Sequence, residues 1–312
     1  MPDHSPARPR LLIAGAVALA VAAALAVALS ATGGATAASG ATRASATDLT
    51  RLPLGDGKVS TTGARRGWIY ACNAGNPNGG GAFKDGAWID TKHKLFNQKA
   101  KATVDGTVDW PSAAVRFTTS AAGGVTVTGN GLPTNRTTGT FPIASSDDAF
   151  SYDRNPNTIK AQTVTYHLLK GTAAAKPTCL NGGPIGIALN GVQFFDGLDA
   201  LNRDAVAHET QDACDGHPER SGTYHYHAMP VCLWSRQSSK AQSPQFGYAR
   251  DGYPIYGPRG AGGKLLTNKD LDVCHGTTST VTLNGKRVRT YHYVATLEYP
   301  YTLGCYHGTP GG

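Results

Sequence analysis

The ten residues GIALNGVQFF, Gly186–Phe195, carry the pattern that decides the fold of this 312-residue chain. Apolar residues flank the dipeptide Asn190-Gly191, and both residue types of that dipeptide tolerate the positive φ angles of a tight hairpin turn. The same pattern returns 61 residues later in GYARDGYPIY, Gly247–Tyr256, where Asp251-Gly252 takes the turn position. We therefore predict two β-hairpins of similar construction.

The similarity between these two regions continues along the chain in the same order. Each hairpin is followed by an Asp-x-Cys-x-Gly segment, then by a Thr-Tyr-His-Tyr segment, and then by a second cysteine. The elements are DACDGH (212–217), TYHYH (223–227) and Cys232 in the first half, and DVCHGT (272–277), TYHYV (290–294) and Cys305 in the second. Elements that recur in a fixed order indicate an internal duplication, with halves at about 186–232 and 247–305.

The flanking sequence favours a mainly β fold. Short β-branched runs such as KATVDGTVDW (101–110) and GVTVTG (124–129) are bounded by Gly, Asp or Pro, which is typical of strands and turns. Only the segment LDALNRDAVAHETQDAC (198–214) suggests a short helix outside the N-terminal region. We predict short-stranded antiparallel sheets, few short helices, and disulfide cross-links.

The N-terminus has the features of an export signal. Arg8 and Arg10 precede an uncharged apolar run at 11–29, and Ala35-Thr36-Ala37 offers a small-residue cleavage site. We predict a signal peptide at residues 1–37 and a secreted, extracellular protein. The alternative is an uncleaved helix that anchors the protein at the cell surface, since the run is long enough to span a bilayer.

Composition suggests the division of the remaining chain. Residues 38–65 are mostly Ala, Thr, Ser and Gly, and we predict a flexible linker there. An N-terminal β segment is expected at 66–114, and the main domain at 115–312.

The chain has six cysteines, an even number that indicates three disulfides in an exported protein. The repeat makes Cys214–Cys232 and Cys274–Cys305 the economical pairs, which leaves Cys72–Cys179. Fifteen connectivities are possible for six cysteines, and the spacing alone does not choose among them.

Charge and motifs exclude several function classes. Lys and Arg total 29 against 21 Asp and Glu, a net charge of +8, but the basic residues are dispersed, which argues against nucleic-acid binding. Membrane contact is expected only through an uncleaved leader. No Gly-x-Ser-x-Gly, P-loop or His-Glu-x-x-His motif is present, so no enzyme class is indicated.

The segment Tyr224–His227 suggests a metal site. In a strand, alternate side chains share a face, so His225 and His227 point the same way, and a cross-linked turn could bring His217 beside them. Three neutral imidazoles suit one Zn or Cu ion. The fourth position would be open or filled by one of four candidates, Asp212, Asp215, His275 and His292.

Two other interpretations stay open. The histidines could serve only to pack and hydrogen-bond within a structural or cell-surface interaction protein. In that case the Tyr-rich segments GYPIYG (252–257) and EYPYTLGCYHG (298–308) could bind cell-wall or surface glycans. A metal-dependent hydrolytic or redox enzyme is the third interpretation.

The chain resembles the YHYH family. The similar segments are DACDGHPERSGTYHYHAMPVCL (212–233), GYARDGYPIYG (247–257), DLDVCHG (270–276) and EYPYTLGCYHG (298–308), and the resemblance extends over about 115–312. Asn135 stands where relatives often carry a histidine. The family has no established activity, and the resemblance implies an exported or surface-associated protein.

Overall fold

A computed structural model describes residues 48–73, 75, 81–234 and 240–311. All of them belong to one compact unit, Ala44–Gly312. The signal peptide expected at 1–37, and the first ten residues of the expected linker, lie outside the described residues. In the part of the chain that is described, no helix has the length and apolar character needed to cross a membrane.

The structure confirms a mainly β fold. Ten short strands precede the first hairpin: β1 (Leu52–Pro53), β2 (Val59–Ser60), β3 (Ile69–Tyr70), β4 (Ile89–Asp90), β5 (Leu95–Phe96), β6 (Thr103–Val104), β7 (Val115–Thr119), β8 (Val125–Gly129), β9 (Val164–Leu168) and β10 (Ala173–Thr178). Ten more follow: β11 (Pro184–Ala188), β12 (Gln193–Phe195), β13 (Gln211–Asp212), β14 (Gly216–Pro218), β15 (Tyr224–Tyr226), β16 (Gln245–Ala249), β17 (Pro254–Tyr256), β18 (Gly276–Leu283), β19 (Lys286–Val294) and β20 (Tyr306–Gly308). The α-helices among the described residues are α1 (Ala205–His208) and α2 (Val231–Trp234), and short 3-10 turns cover Gln98–Ala100, Asp148–Ser151, Ala261–Gly263 and Asn268–Asp270.

An eight-stranded sheet forms the centre of the molecule, in the order β14-β15-β12-β11-β16-β17-β19-β18. The two expected hairpins, β11/β12 and β16/β17, are antiparallel and lie side by side through the antiparallel pair β11/β16. Outside each hairpin comes a parallel pair, β12/β15 or β17/β19, and then an antiparallel edge strand. The pairing order is therefore the same from both ends of the sheet. The common origin of the two halves stays a prediction.

Smaller sheets surround this one. They are β1-β5-β4, β2-β3, β6-β13, β7-β8-β9 and β10-β20. The pair β2/β3 and the pair β6/β13 are parallel, so parallel pairing is more common than the hairpin pattern of the sequence suggested.

A buried aspartate organises the loop before the Tyr-His-Tyr strand. Asp212 accepts hydrogen bonds from the backbone N–H of Cys214 at 2.9 Å and of Gly216 at 3.2 Å, and from the Tyr224 hydroxyl at 2.8 Å. A Cβ at Gly216 would lie 2.2 Å from the Tyr224 ring, so only glycine allows the tyrosine to reach the carboxylate. The second half repeats these contacts with Asp272, Cys274, Gly276 and Tyr291.

The expected linker requires a correction. Residues 48–65 are ordered, and Leu52 and Leu54 are 3% and 4% exposed within the main hydrophobic core. Strand β1 pairs with β5, which brings Leu52 opposite Phe96. Leu52 and Leu54 occupy alternate positions, so they bury one face of an extended segment. The polar residues around them gave the segment the composition of a linker, and this hid the alternation. Ile69, Trp88 and Phe96 from the expected N-terminal segment lie in this same core.

Three disulfides join the six cysteines in the expected pairs, Cys72–Cys179, Cys214–Cys232 and Cys274–Cys305. Cys214–Cys232 spans the segment that contains His217, His225 and His227. Such bonds persist in oxidising compartments, which supports an extracellular environment.

Candidate metal centre

Three histidines meet on one face of the central sheet. Strands β14 and β15 are antiparallel with His217 directly opposite His225, and His227 follows His225 by two residues on the same side. The Nε2 atom of His227 lies 3.1 Å from the Nε2 of His225 and 3.1 Å from the Nε2 of His217. All three rings are buried, with 3–4% of each residue exposed. The convergence expected from the alternating sequence is present.

Hydrogen bonds on the outer ring nitrogens set the chemistry of the inner ones. His225 Nδ1 lies 3.1 Å from the carbonyl oxygen of Thr223, and His227 Nδ1 lies against the carbonyl oxygen of Asp196. A carbonyl can only accept, so these Nδ1 atoms carry the hydrogen and donate it. When both rings are neutral, the Nε2 lone pairs of His225 and His227 face each other. This arrangement is unfavourable unless a metal ion or a proton lies between the two nitrogens.

The spacing of the nitrogens suits a transition-metal ion. Bonds of about 2.0–2.1 Å from each nitrogen to a tetrahedral Zn²⁺ would separate two such nitrogens by about 3.3 Å. The two measured separations are 3.1 Å. The ligand atoms of the three histidines all lie within 4.8 Å of one another. The cluster can hold one ion with little movement of the rings.

Glu209 is a fourth group at the site, and the sequence analysis missed it. Its Oε2 lies 3.3 Å from His227 Nε2 and 3.5 Å from His217 Nε2. This oxygen is buried and makes no hydrogen bond with any described residue. Glu209 directly follows α1, which is capped by the Asp204 side chain, so the helix end places the carboxylate beside the imidazoles. A carboxylate oxygen at these distances can serve as a fourth ligand.

The candidates that sequence reasoning offered for the fourth position lie outside the cluster. Asp212 is occupied by the loop contacts described above, and Asp215 accepts a hydrogen bond from the Val231 backbone N–H at 2.8 Å. His275 Nε2 lies 3.0 Å from the Thr296 hydroxyl. Asp215 and His275 lie at turns of the chain, with positive φ angles of 58° and 72°. Their side-chain hydrogen bonds therefore stabilise loops.

His292 occupies in the second half the place that His225 has in the first. Its Nδ1 lies 3.2 Å from the Thr290 carbonyl, as His225 Nδ1 lies against Thr223, and the residue is 2% exposed. Val294 and Thr277 stand where the first half has His227 and His217, so His292 has no imidazole neighbours of that kind. The second half therefore lacks the cluster.

Burial and the neighbouring groups together determine the protonation of the cluster. Burial, followed by the proximity of His227, lowers the pKa of His225 well below its usual value, and burial with both neighbouring imidazoles does the same to the pKa of His217. Burial also acts to lower the pKa of His227, but the neighbouring Glu209 carboxylate and the Asp196 contact outweigh it and raise that pKa. Two of the rings are thus neutral, as metal ligands must be, and a proton on His227 is the competitor of a metal ion.

The cluster opens onto a large cleft. Its volume is about 1000 Å³, at the upper end of the range for small-molecule sites, and all three histidines and Glu209 line it. Phe195 also lines the cleft, and its ring is stacked on the His225 ring at a centroid distance of 3.9 Å. The walls come from segments far apart in the chain, such as Asn73, Asn155 and Asn181, so no local pattern indicated the cleft.

The Tyr-rich segments do not form the exposed surface that was expected for glycan binding. Their tyrosines are all buried, with no more than 7% of any residue exposed: Tyr253, Tyr256, Tyr299, Tyr301 and Tyr306. They fill the core around the sheet, and several hydroxyls contact buried groups, such as Tyr301 with Asp204 at 2.7 Å. Tyrosine can satisfy its hydroxyl in this way and still bury its ring.

The comparison with protein families covers the segment that contains the histidine cluster. Residues 165–264 match the family model described as YHYH protein. The chain contains a YHYH domain. The matched part of the YHYH domain includes Glu209 and the three clustered histidines, and it ends before β18 and β19. No curated protein and no solved structure matches the chain.

Proposed function

We propose that the YHYH domain binds one transition-metal ion through His217, His225 and His227, with Glu209 as the fourth group. The observation that carries this proposal is the approach of the Nε2 atoms to 3.1 Å while the Nδ1 atoms of His225 and His227 face carbonyl oxygens. The inward lone pairs of His225 and His227, the Nε2 of His217 and a buried carboxylate oxygen without a hydrogen bond form a donor set that suits a metal cation.

The donor set favours Zn²⁺ or Cu²⁺. Imidazole nitrogen suits both ions, whereas Ca²⁺ and Mg²⁺ require mainly oxygen ligands. Three histidines and one carboxylate oxygen give four-coordination, the usual number for Zn²⁺. The cleft reaches the same nitrogens, so a ligand from solution can approach the ion.

The metal content of the purified protein tests this proposal. The full chain, produced without a histidine tag, is exported by its host and analysed by elemental mass spectrometry. About one Zn²⁺ or Cu²⁺ per chain is expected, and the double substitution His225→Ala with His227→Ala removes it. Stoichiometric metal that survives the double substitution would refute the assignment.

A structural role for the histidines is the second candidate, and the raised pKa of His227 favours it. A proton on His227 Nε2, next to the Glu209 carboxylate, occupies the space between the imidazoles without any metal. This candidate requires metal-free protein after native purification and a lower melting temperature for the same double variant. Metal analysis therefore separates the two candidates directly.

We also infer that the protein is secreted after cleavage of its leader. Three disulfides and the apolar N-terminal run support export. N-terminal sequencing of the protein from the culture medium is expected to begin at Ala38. Intact Met1 in the membrane fraction would favour the anchored alternative.

A further inference from the structure

The cleft beside the histidine cluster contains polar side chains that have no hydrogen-bond partner among the described residues. Asn73, Asn181 and Asn202 line it, and their side chains make no hydrogen bond with another described residue. Arg220 also lines the cleft, is exposed, and forms no ion pair within the described part of the chain. By contrast, Asn155 in the same cleft donates to the Pro218 carbonyl at 2.8 Å and stabilises the wall. Part of the lining is therefore structural, and part is available to a ligand.

An aromatic ring accompanies these free groups. Phe83 lines the cleft and is 53% exposed, which is unusual for a large apolar side chain in a fold that buries most of its aromatic residues. The Arg154 guanidinium lies 4.3 Å from the Phe83 ring centroid and holds it in position. An exposed ring held in position can pack against the C–H face of a sugar. The negative face of an aromatic ring attracts the weakly positive C–H hydrogens, as it attracts the edge of another aromatic ring.

The charge of the cleft excludes polyanions. Its carboxylates are Asp153, Asp196, Asp199, Glu209 and Glu219, and its guanidinium groups are Arg154 and Arg220. Asp199 is paired with Arg203 at 2.8 Å, which leaves four carboxylates against two guanidinium groups. Even with a divalent ion on the histidines the balance is about zero, although the whole chain carries +8. A cleft that is not positive in a basic protein does not attract an anionic polymer.

We propose that this cleft binds a neutral oligosaccharide. Free amide and guanidinium groups are planar and present several donors that match adjacent sugar hydroxyls, and Phe83 supplies a surface for the ring face. A volume of about 1000 Å³ accommodates more than one sugar ring. The contacts that carry this inference lie outside the histidine cluster, so it goes beyond the proposed metal binding.

Binding measurements with defined sugars test the inference. The full, exported protein is titrated calorimetrically with neutral oligomers of glucose and of N-acetylglucosamine, and with oligogalacturonate as the acidic comparison. Each titration is repeated on protein whose metal content has been removed with a chelator and measured. Saturable binding of at least one neutral oligomer is expected, together with at least about tenfold weaker binding of oligogalacturonate.

Single substitutions locate the binding. Phe83→Ala and Arg220→Ala are each expected to weaken binding of the neutral oligomer at least about fivefold without changing the metal content. The matched controls are Leu169→Ala, which removes a residue that is 74% exposed and outside the cleft, and Arg287→Ala, which removes an exposed arginine beside the β18–β19 turn. The inference is overturned if no neutral oligomer binds either form of the protein, or if both cleft variants bind like their controls. Sugar binding by a protein that is purified without stoichiometric metal would contradict the metal proposal alone.

Discussion

Replacement of His225 by alanine tests the metal site most sharply, because the chain contains its own control. His225 and His292 are each the first histidine of a Tyr-His-Tyr strand, and each donates from Nδ1 to a carbonyl two residues earlier, at 3.1 Å and 3.2 Å. They are 3% and 2% exposed. Only His225 has an Nε2 that faces another imidazole. His225→Ala and His292→Ala therefore remove the same ring and the same hydrogen bond, and only His225→Ala removes a proposed metal ligand.

The magnitude follows from linkage between binding and folding. An ion present at one hundred times its dissociation constant stabilises the folded state by about 2.7 kcal/mol if it does not bind the unfolded chain. For a unit of the size of Ala44–Gly312, about 1 kcal/mol shifts the melting temperature by roughly 2–4 °C. The wild-type protein should therefore melt about 5–10 °C higher with the ion than without it.

The assay is differential scanning calorimetry of each protein with and without the ion. The quantity compared is the increase in melting temperature that the ion causes. The cavity left by each alanine lowers both melting temperatures of that variant and so cancels in the shift. His225→Ala should lose most of the shift, and His292→Ala should keep it. An undiminished shift in His225→Ala, or an equal loss in both variants, would refute the reasoning.

Three further predictions concern the fourth ligand, the loop glycine and the acid response. Glu209→Gln should weaken ion binding at least about tenfold in a chelator competition, because it removes the carboxylate charge beside His217 and His227, and unchanged affinity would exclude Glu209 as a ligand. Gly216→Ala should destabilise the protein by about 2–4 kcal/mol in urea unfolding, since its Cβ would meet Tyr224 at 2.2 Å, whereas Gly63→Ala, with open space around it, should cost little. Burial lowers the pKa of His275 from 6.5 to about 3. Between these pH values the His275 imidazole is protonated in the unfolded chain and neutral in the folded chain, so the free energy of unfolding should decrease as the pH falls from about 6.5 toward 3. The loss is up to about 5 kcal/mol, and His275→Asn should reduce it in urea unfolding measured across that range; an equal slope in both proteins would contradict this assignment.

The halves of the central sheet differ in chemistry more than in construction. Both contain the Asp-x-Cys-x-Gly loop, and in both a tyrosine hydroxyl reaches the aspartate over a glycine. The first half carries the three clustered histidines at one end of the sheet, and the second half has a histidine, His292, at only one of the three equivalent positions. The same framework can therefore be retained for stability in one half while the other presents a potential ligand site.

Much of the fold was predictable from residues close together in the chain. The turn dipeptides Asn190-Gly191 and Asp251-Gly252 form the two hairpins, because the conformational demands of a turn depend on the turn residues themselves. The shared face of His225 and His227 follows from the two-residue period of a strand. The even cysteine count and the repeated spacing led to the observed disulfide pairs.

The tertiary structure alone decided how distant segments meet. Glu209 joins the histidines because the end of α1 packs beside β14 and β15, and no spacing in the sequence relates Glu209 to His227. The burial of Leu52 and the walls of the cleft likewise depend on packing between segments more than a hundred residues apart. Local preferences involve a few neighbouring residues and can be inferred from them. Long-range contacts are selected by how the whole apolar surface is buried, and that is a property of the complete folded chain.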